Sequence, residues 1–174
     1  MERFRLLTSD DIEVKVKQVK SNGAALLLYK TSRTDMDLLD ETVGPENWSC
    51  DYKEIKGNLY CGITITVDGR PVTKWDCGIE SRSDGEGNEK KGEASDAFKR
   101  AGFKWGIGRE LYTGPFIWIP SSKVDISANG GRAKTFDHFS VEKIHYDDQR
   151  RIDALAVWND TKKCRAFVWQ RDKQ

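Results

Sequence analysis

Between Trp48 and Ser81 run three short segments rich in aromatic and β-branched residues, WSCDYKEI, LYCGITITV and PVTKWDCGIES, with only the tight turn signals Lys56-Gly57-Asn58 and Asp68-Gly69 between them. Runs this short, joined this closely, have few ways to bury their apolar residues, and a three-stranded antiparallel meander is the economical one. The cover for such a sheet follows in the chain. Ala94, Ala97, Phe98, Ala101 and Trp105 recur at helical spacing and form one apolar stripe that should lie across the strands. Gly106 and Gly108 break that helix near Arg109-Glu110-Leu111-Tyr112. Upstream, Thr34 followed by Asp35-Met36-Asp37-Leu38-Leu39-Asp40-Glu41 predicts an N-capped helix with acids in its first turn, ended by Gly44-Pro45. The order is helix, three strands, helix.

Two polar stretches interrupt this pattern. Residues Arg82 to Lys91 lack apolar periodicity and predict a flexible loop, and SSKVDISANGGRAKT after Pro120 predicts a loop or linker around Asn129-Gly130-Gly131. Beyond it FSVEKIHY, IDALAVWN and CRAFVWQ alternate apolar and polar residues across Asp147-Asp148 and Asn159-Asp160 turns, as a small β meander does. The expected fold class is therefore α+β: a β-β-β-α core in residues 1–120, a linker in 121–135 and a C-terminal β meander in 136–174.

Charged residues make up 33% of the 174 and apolar ones 37%, the balance of a globular chain, and the net charge is only +1. A polyanionic partner would have to meet a local cluster of cations rather than a uniformly basic surface. Cys50, Cys61, Cys77 and Cys164 contain no C-x-x-C pair, and MERFRLL develops no apolar signal core, so reduced thiols in a cytoplasm are expected. The longest apolar run, Ala24 to Tyr29, falls far short of the roughly 20 residues that span a bilayer.

The densest local set of cations accompanies the second helix. Arg100 and Lys104 are i,i+4 neighbours roughly opposite the Phe98/Trp105 stripe, Lys99 flanks them, and Arg109 stands just past the helix end. Paired cations repel by a few tenths of a kcal/mol in an isolated helix, a cost an anionic partner relieves. Asp96, four residues before Arg100, could supply that relief on an ordinary solvated face, and spacing alone favours this second explanation. Lys30 and Arg33 precede the first helix, where its N–H groups also favour an anion, although an Arg33–Asp37 ion pair accounts for Arg33 equally well. Lys91, with Lys90, could touch a polyanion from the loop or simply be solvated. Of the six tryptophans only Trp118 falls outside the expected core.

Enzyme chemistry has less support. Asp51, Glu54 and Lys56 have the residue types of a nuclease metal triad, but in a strand Asp51 points away from the other two. Neither Gly85-x-Gly87 nor Gly106-x-Gly108 has the order of a phosphate cradle, so no ATP site is expected. His138 and His145 are the only histidines, and neither a zinc site nor a Cys-His nucleophile is expected. No cofactor, metal or catalytic residue is expected.

With these pieces in order, the helix–β-β-β–helix arrangement and the segment A-S-D-A-F-K-R-A-G-F-K-W-G resemble the annealing domain of the Rad fifty-two family, which includes phage Sak-type recombinases and is more distantly related to the Erf and Red-beta proteins. The resemblance covers about residues 20 to 115. Its marks are Gly44-x-x-x-Trp48, LYCGITITV, Cys77-Gly78-Ile79-Glu80-Ser81, D-A-F-K-R-A and G-I-G-R-E-L-Y. It implies a single-stranded DNA-binding, ATP-independent annealing protein of phage or prokaryotic recombination and repair, assembled as a ring or filament and acting in the cytoplasm, with a host single-strand-binding protein as a further partner. Lys99 and Arg100 match the family's basic pair and Arg33 its other backbone-clamping arginine, whereas Phe103 stands where the pattern can carry a further arginine and Lys104 substitutes in part. Phosphate contacts would neutralise two strands while leaving their base edges free to test pairing, and few exposed aromatics would favour annealing over simple protection. The alternatives are a module that only protects single strands and a metal-dependent nuclease using Asp51, Glu54 and Lys56.

Overall fold

A computed structural model of the protein describes residues 3–79, 88–129 and 131–172. Its elements are β1 (Glu13–Lys20), β2 (Gly23–Tyr29), α1 (Ser32–Val43), β3 (Trp48–Ile55), β4 (Asn58–Val67), β5 (Arg70–Cys77), α2 (Asn88–Trp105), β6 (Ile117–Pro120), β7 (Ser127–Asn129), β8 (Arg132–Lys134), β9 (Phe139–Tyr146), β10 (Ile152–Asn159) and β11 (Cys164–Gln170). The chain divides into two compact units: Met1–Arg5 with Thr31–Arg109, and Leu6–Lys30 with Glu110–Gln174. Both are interleaved in sequence, so they differ from the contiguous 1–120, 121–135 and 136–174 division expected from composition.

The first unit contains the expected meander, in the order β3-β4-β5. Its two turns are tight because Lys56 and Gly57 (φ 53° and 75°) and Asp68 and Gly69 (φ 50° and 75°) all take left-handed backbone, the conformation of a two-residue hairpin turn with the twist of the flanking strands. Helix α2 covers one face. Ala97, Phe98, Ala101 and Trp105 are buried together with Cys61, Ile63 and Ile65, which alternate along β4. Trp105 Nε1 donates to the Ile63 carbonyl at 3.0 Å, which satisfies the indole without removing it from the core. On the far face the Trp75 indole lies across Gly62, where a Cβ would come within 2.4 Å of the ring.

Helix α1 starts earlier than its sequence suggests. Thr31, not Thr34, is the N-cap, its hydroxyl accepting from the Thr34 N–H at 3.4 Å, and Gly44 (φ 85°) ends the helix as expected. Buried Asp35 faces Gly102 of α2, and Ser95 Oγ lies 3.2 Å from Ser32 Oγ, so the two helices meet along a side of small residues. Trp48 packs edge-on against Phe98, 6.0 Å between ring centres, and donates through Nε1 to Asp40 at 2.7 Å. The stretch expected as a loop from Arg82 to Lys91 is helical from Asn88 onward, and its residues up to 87 lie outside the described residues.

The second unit corrects the expected self-standing C-terminal meander. Strands β9, β10 and β11 do follow one another, but they form half of a six-stranded sheet in the order β11-β10-β9-β1-β2-β6. The linker region holds a two-stranded hairpin, β7-β8, rather than loop alone. β1 joins β9 through the single pair Glu13↔Ser140, whereas β1 and β2 pair along their length with a bulge between Val16 and Gln18. Ala24, Leu26, Ile117, Ile119, Val141, Leu155 and Val157 are among its buried residues. A buried polar knot fixes the turn after β10: Asn159 Nδ2 donates to Asp137 at 2.7 Å and to the Lys123 carbonyl at 3.0 Å, and its Oδ1 accepts from the Thr161 and Lys162 N–H groups. Among the described residues no helix is long and apolar enough to cross a membrane.

Just past β5, Gly78 lies against α2, where an added Cβ would stand 2.1 Å from the Glu93 carbonyl oxygen. Gly78→Ala is therefore expected to destabilise the protein by about 2 kcal/mol or more. Gly57→Ala, with open space around it but a φ of 75°, should cost about 1 kcal/mol. Equilibrium urea unfolding of the two variants checks this order.

Candidate nucleic-acid interface

The cations of the first unit are sorted by the way α2 sits on the sheet. Because Ala97, Phe98, Ala101 and Trp105 face the sheet, Arg100 and Lys104 emerge at the border with β5, beside the buried stripe rather than opposite it. Both approach Asp76: Arg100 Nε lies 3.6 Å from one carboxylate oxygen and Lys104 Nζ 3.5 Å from the other. Lys104 Nζ also donates to the Trp75 carbonyl. Asp96, the acid spaced to neutralise Arg100, instead accepts the Ile79 N–H at 3.1 Å. Its role is to anchor the end of β5.

Two further cations converge on the C-terminus of α2. Arg109 donates from Nε to the Phe103 carbonyl at 2.7 Å and from Nη2 to the Lys104 carbonyl at 2.9 Å, with its guanidinium 5.4 Å from the Phe103 ring centre. Lys74, on β5, donates to the same Lys104 carbonyl at 3.1 Å and lies 4.2 Å from the centre of the Trp105 ring. These carbonyls lie at the C-terminal end of the helix and carry the negative end of its dipole, which is why cations gather there. Lys74 was not singled out in the sequence. Its strand register, opposite Ile63 and therefore on the helix-covered face, brings it in.

Lys99 stands about 100° around the helix from Arg100. It is half-buried, lies one turn beyond Ser95 on the side that meets α1, and makes no ion pair among the described residues. Arg33 is inside α1 rather than before it, next to Ser32, exposed, and without an ion pair to Asp37 among the described residues. The structure thus gathers Lys74, Arg100, Lys104 and Arg109 at one flank of α2 and Lys99 at the other, with Arg33 at the start of the adjoining helix. Lys91 is exposed in the first turns of α2. Lys30 is different: it is only 7% exposed and belongs to the second unit, so burial removes it from any exposed phosphate-binding set.

The other chemistry weighed from sequence is not assembled. Asp51 and Glu54 alternate faces of β3, and Lys56 sits in the turn beyond it with left-handed backbone. Burial pushes the Cys61 thiol up to about 12, with the neighbouring Cys50 adding to the shift, so it stays protonated at neutral pH and supplies no thiolate. Burial also raises Cys50.

An antiparallel sheet is covered by one helix that exposes arginine and lysine side chains, and among the described residues one carboxylate, Asp76, contacts two of them. The sequence is similar to the single-stranded DNA-binding protein DdrA of Deinococcus radiodurans, 36% identical over 99 residues, which is 55% of this chain and 44% of that protein. It is likewise similar to the protein of the same name from Deinococcus deserti, 31% identical over 96 residues, covering 55% of this chain and 46% of the relative. The chain thus spans less than half the length of these curated relatives. No family model matches the sequence, and no solved structure does.

Arg109 serves first as the cap of α2. Arg109→Ala is expected to lower stability by about 0.5–1 kcal/mol through loss of the charge-assisted bonds to the C-terminal carbonyls of α2, and Arg109→Lys should restore only part of this because it lacks the guanidinium fork. Thermal unfolding followed by circular dichroism reads both.

Proposed function

We propose that the protein binds single-stranded DNA along its phosphate backbone through the cations flanking α2 and promotes ATP-independent annealing of complementary strands in recombination or repair, as members of the Rad fifty-two family do. The observation that carries this reading is the basic flank of α2, where Lys74, Arg100, Lys104 and Arg109 gather and, among the described residues, Asp76 alone pairs with Arg100 and Lys104. Similarity to single-stranded DNA-binding proteins supports the choice of polyanion. Arginine and lysine contacts to phosphate position a strand without reading its sequence, which leaves base edges available for pairing. The protein acts in this reading by binding rather than by bond chemistry.

A single subunit holds too few cations to align two strands, so the proposal includes self-assembly. Strands β3 and β5 are the outer strands of their sheet, and among the described residues neither outer edge pairs with a further strand. Such edges can pair between copies and repeat the basic flank along a bound strand. A host single-strand-binding protein remains part of this proposal as a further partner.

Each phosphate contact to a single strand contributes about 0.7 to the slope of log K against log salt. The double variant K99A/R100A is expected to stay folded, bind an oligothymidylate more weakly and flatten that slope by up to about 1.4. Asp76→Asn removes the carboxylate that competes for Arg100 and Lys104, so its affinity should rise severalfold. Fluorescence anisotropy across a salt series measures both, and strand pairing of complementary oligonucleotides without ATP, with light scattering of the complex, tests annealing and assembly. Unchanged affinity in both variants would remove α2 as the contact.

A further inference from the structure

The second unit carries an exposed surface of different chemistry, on β1, β2 and β6. Residues directly opposite each other in antiparallel strands share a face, as do residues two apart along one strand. The registers Lys15↔Leu27, Gln18↔Ala25 and Lys20↔Gly23 between β1 and β2, with Gly23↔Pro120 and Ala25↔Trp118 between β2 and β6, therefore place Lys15, Gln18, Lys20, Leu27 and Trp118 on one side of the sheet. The opposite side takes Ala24, Leu26, Ile117 and Ile119 into the core.

Two aromatic rings dominate this face. Trp118 lies flat across β2: a Cβ at Gly23 would come within 2.7 Å of its indole, so only glycine lets the ring rest on the strand. Phe116, which precedes β6, is 74% exposed and stacks on Trp118 with 6.5 Å between ring centres and 18° between planes. Leu27, 48% exposed, extends the same apolar strip. A half-buried indole capped by an exposed, near-parallel phenyl ring leaves aromatic area in water that a sheet face normally covers.

A row of cations runs beside the rings. Lys15, Lys17 and Lys20 of β1 are all exposed and form no ion pair among the described residues. Lys20 stands opposite Gly23, hence about 5 Å in backbone spacing from the strand on which the indole rests. The acid of β1, Glu13, accepts a hydrogen bond from Tyr29. Flat aromatic surface flanked by unpaired lysines matches the two parts of an unpaired nucleotide, a base with a π-face and a phosphate.

We infer that this face is a second contact for single-stranded DNA, in which a base stacks on the Phe116/Trp118 pair while Lys15 and Lys20 hold the adjoining phosphates. It goes beyond the backbone contact at α2, because it uses the bases, and it occupies the other compact unit. The two assignments can fail separately.

The test uses the whole 174-residue chain and three probes: an oligothymidylate, an abasic strand of the same length, and inorganic polyphosphate. Phe116→Leu keeps an apolar side chain and removes the ring, and Phe116→Tyr keeps the ring. The expected result is that Phe116→Leu lowers oligothymidylate affinity about tenfold, leaves the abasic strand unchanged, and is rescued by Phe116→Tyr. K15A/K20A should weaken both strands and flatten the salt slope. The inference is overturned if Phe116→Leu binds oligothymidylate as wild type does, or if it weakens both strands equally. A loss of oligothymidylate binding in K99A/R100A with no change in Phe116→Leu and K15A/K20A would overturn this face while leaving the α2 contact intact. The reverse pattern would support this face and remove α2. Polyphosphate binding that K15A/K20A abolishes, without any preference for strands that carry bases, would also overturn it.

Discussion

Everything in the first unit depends on how closely α2 can approach its sheet. Phe98 and Trp105 fill the space over Ile63 and Ile65, each contributing roughly 1.5–3 kcal/mol of burial. The close seating is made possible by small residues at the points of contact: Ala97 and Ala101 over β4, Gly78 against the Glu93 carbonyl, Gly102 against Asp35 of α1. The Trp105 hydrogen bond to Ile63 then fixes the rotation of the helix. Once that rotation is set, the positions of its cations follow. Arg100 and Lys104 must emerge at β5 because Ala97, Ala101 and Trp105 do not.

This rotation also determines the electrostatics. Asp76 lies on β5 opposite Cys61, and so on the face that α2 covers, where it meets Arg100 and Lys104. It orders the two side chains but balances only one of their charges. Lys74 and Arg109 are held on the C-terminal carbonyls of α2, a favourable site that uses part of their hydrogen-bonding capacity. The guanidinium keeps further donors, while the lysine can exchange one partner for another. Among the described residues the flank therefore keeps an excess of positive charge on side chains already held in place, which under the proposed function would lower the entropy lost on binding a strand.

Much of the first unit was legible in the sequence because its determinants are local. Lys56-Gly57 and Asp68-Gly69 mark the hairpins, β-branched and aromatic residues mark the strands, and the Ala97/Phe98/Ala101/Trp105 spacing marks the covering helix. Where the cations went was less legible. The partner of Arg100 was read as Asp96, one turn away, and proved to be Asp76 on a strand, because the Asp96 carboxylate is used by the Ile79 N–H. The second unit was the least legible. EVKVKQVK alternates valine and lysine with the period of a strand, yet its neighbours in the sheet are β2 and β9, more than a hundred residues apart in sequence. No local signal specifies such a pairing. Its valines are only half-buried, so the strand lacks the apolar density that marked the others.

The two proposed contacts would carry complementary chemistry for one kind of ligand. In the first, the aromatic rings of α2 nearest these cations, Phe103 and Trp105, are already covered by Arg109 and Lys74. Under the proposed function a strand would be gripped there by its phosphates, with its bases left free. In the second, the Phe116/Trp118 pair offers stacking area for only a base or two. That is too little to sheath a strand and enough to bias one nucleotide toward the unstacked state. A protein that must let two strands search for complementarity benefits from this asymmetry, since backbone contacts dominate affinity while stacking stays local. Broad aromatic coverage would oppose pairing. A short platform would orient a strand without hiding most of its bases, so limited exposure of aromatics is compatible with annealing even where it is not zero.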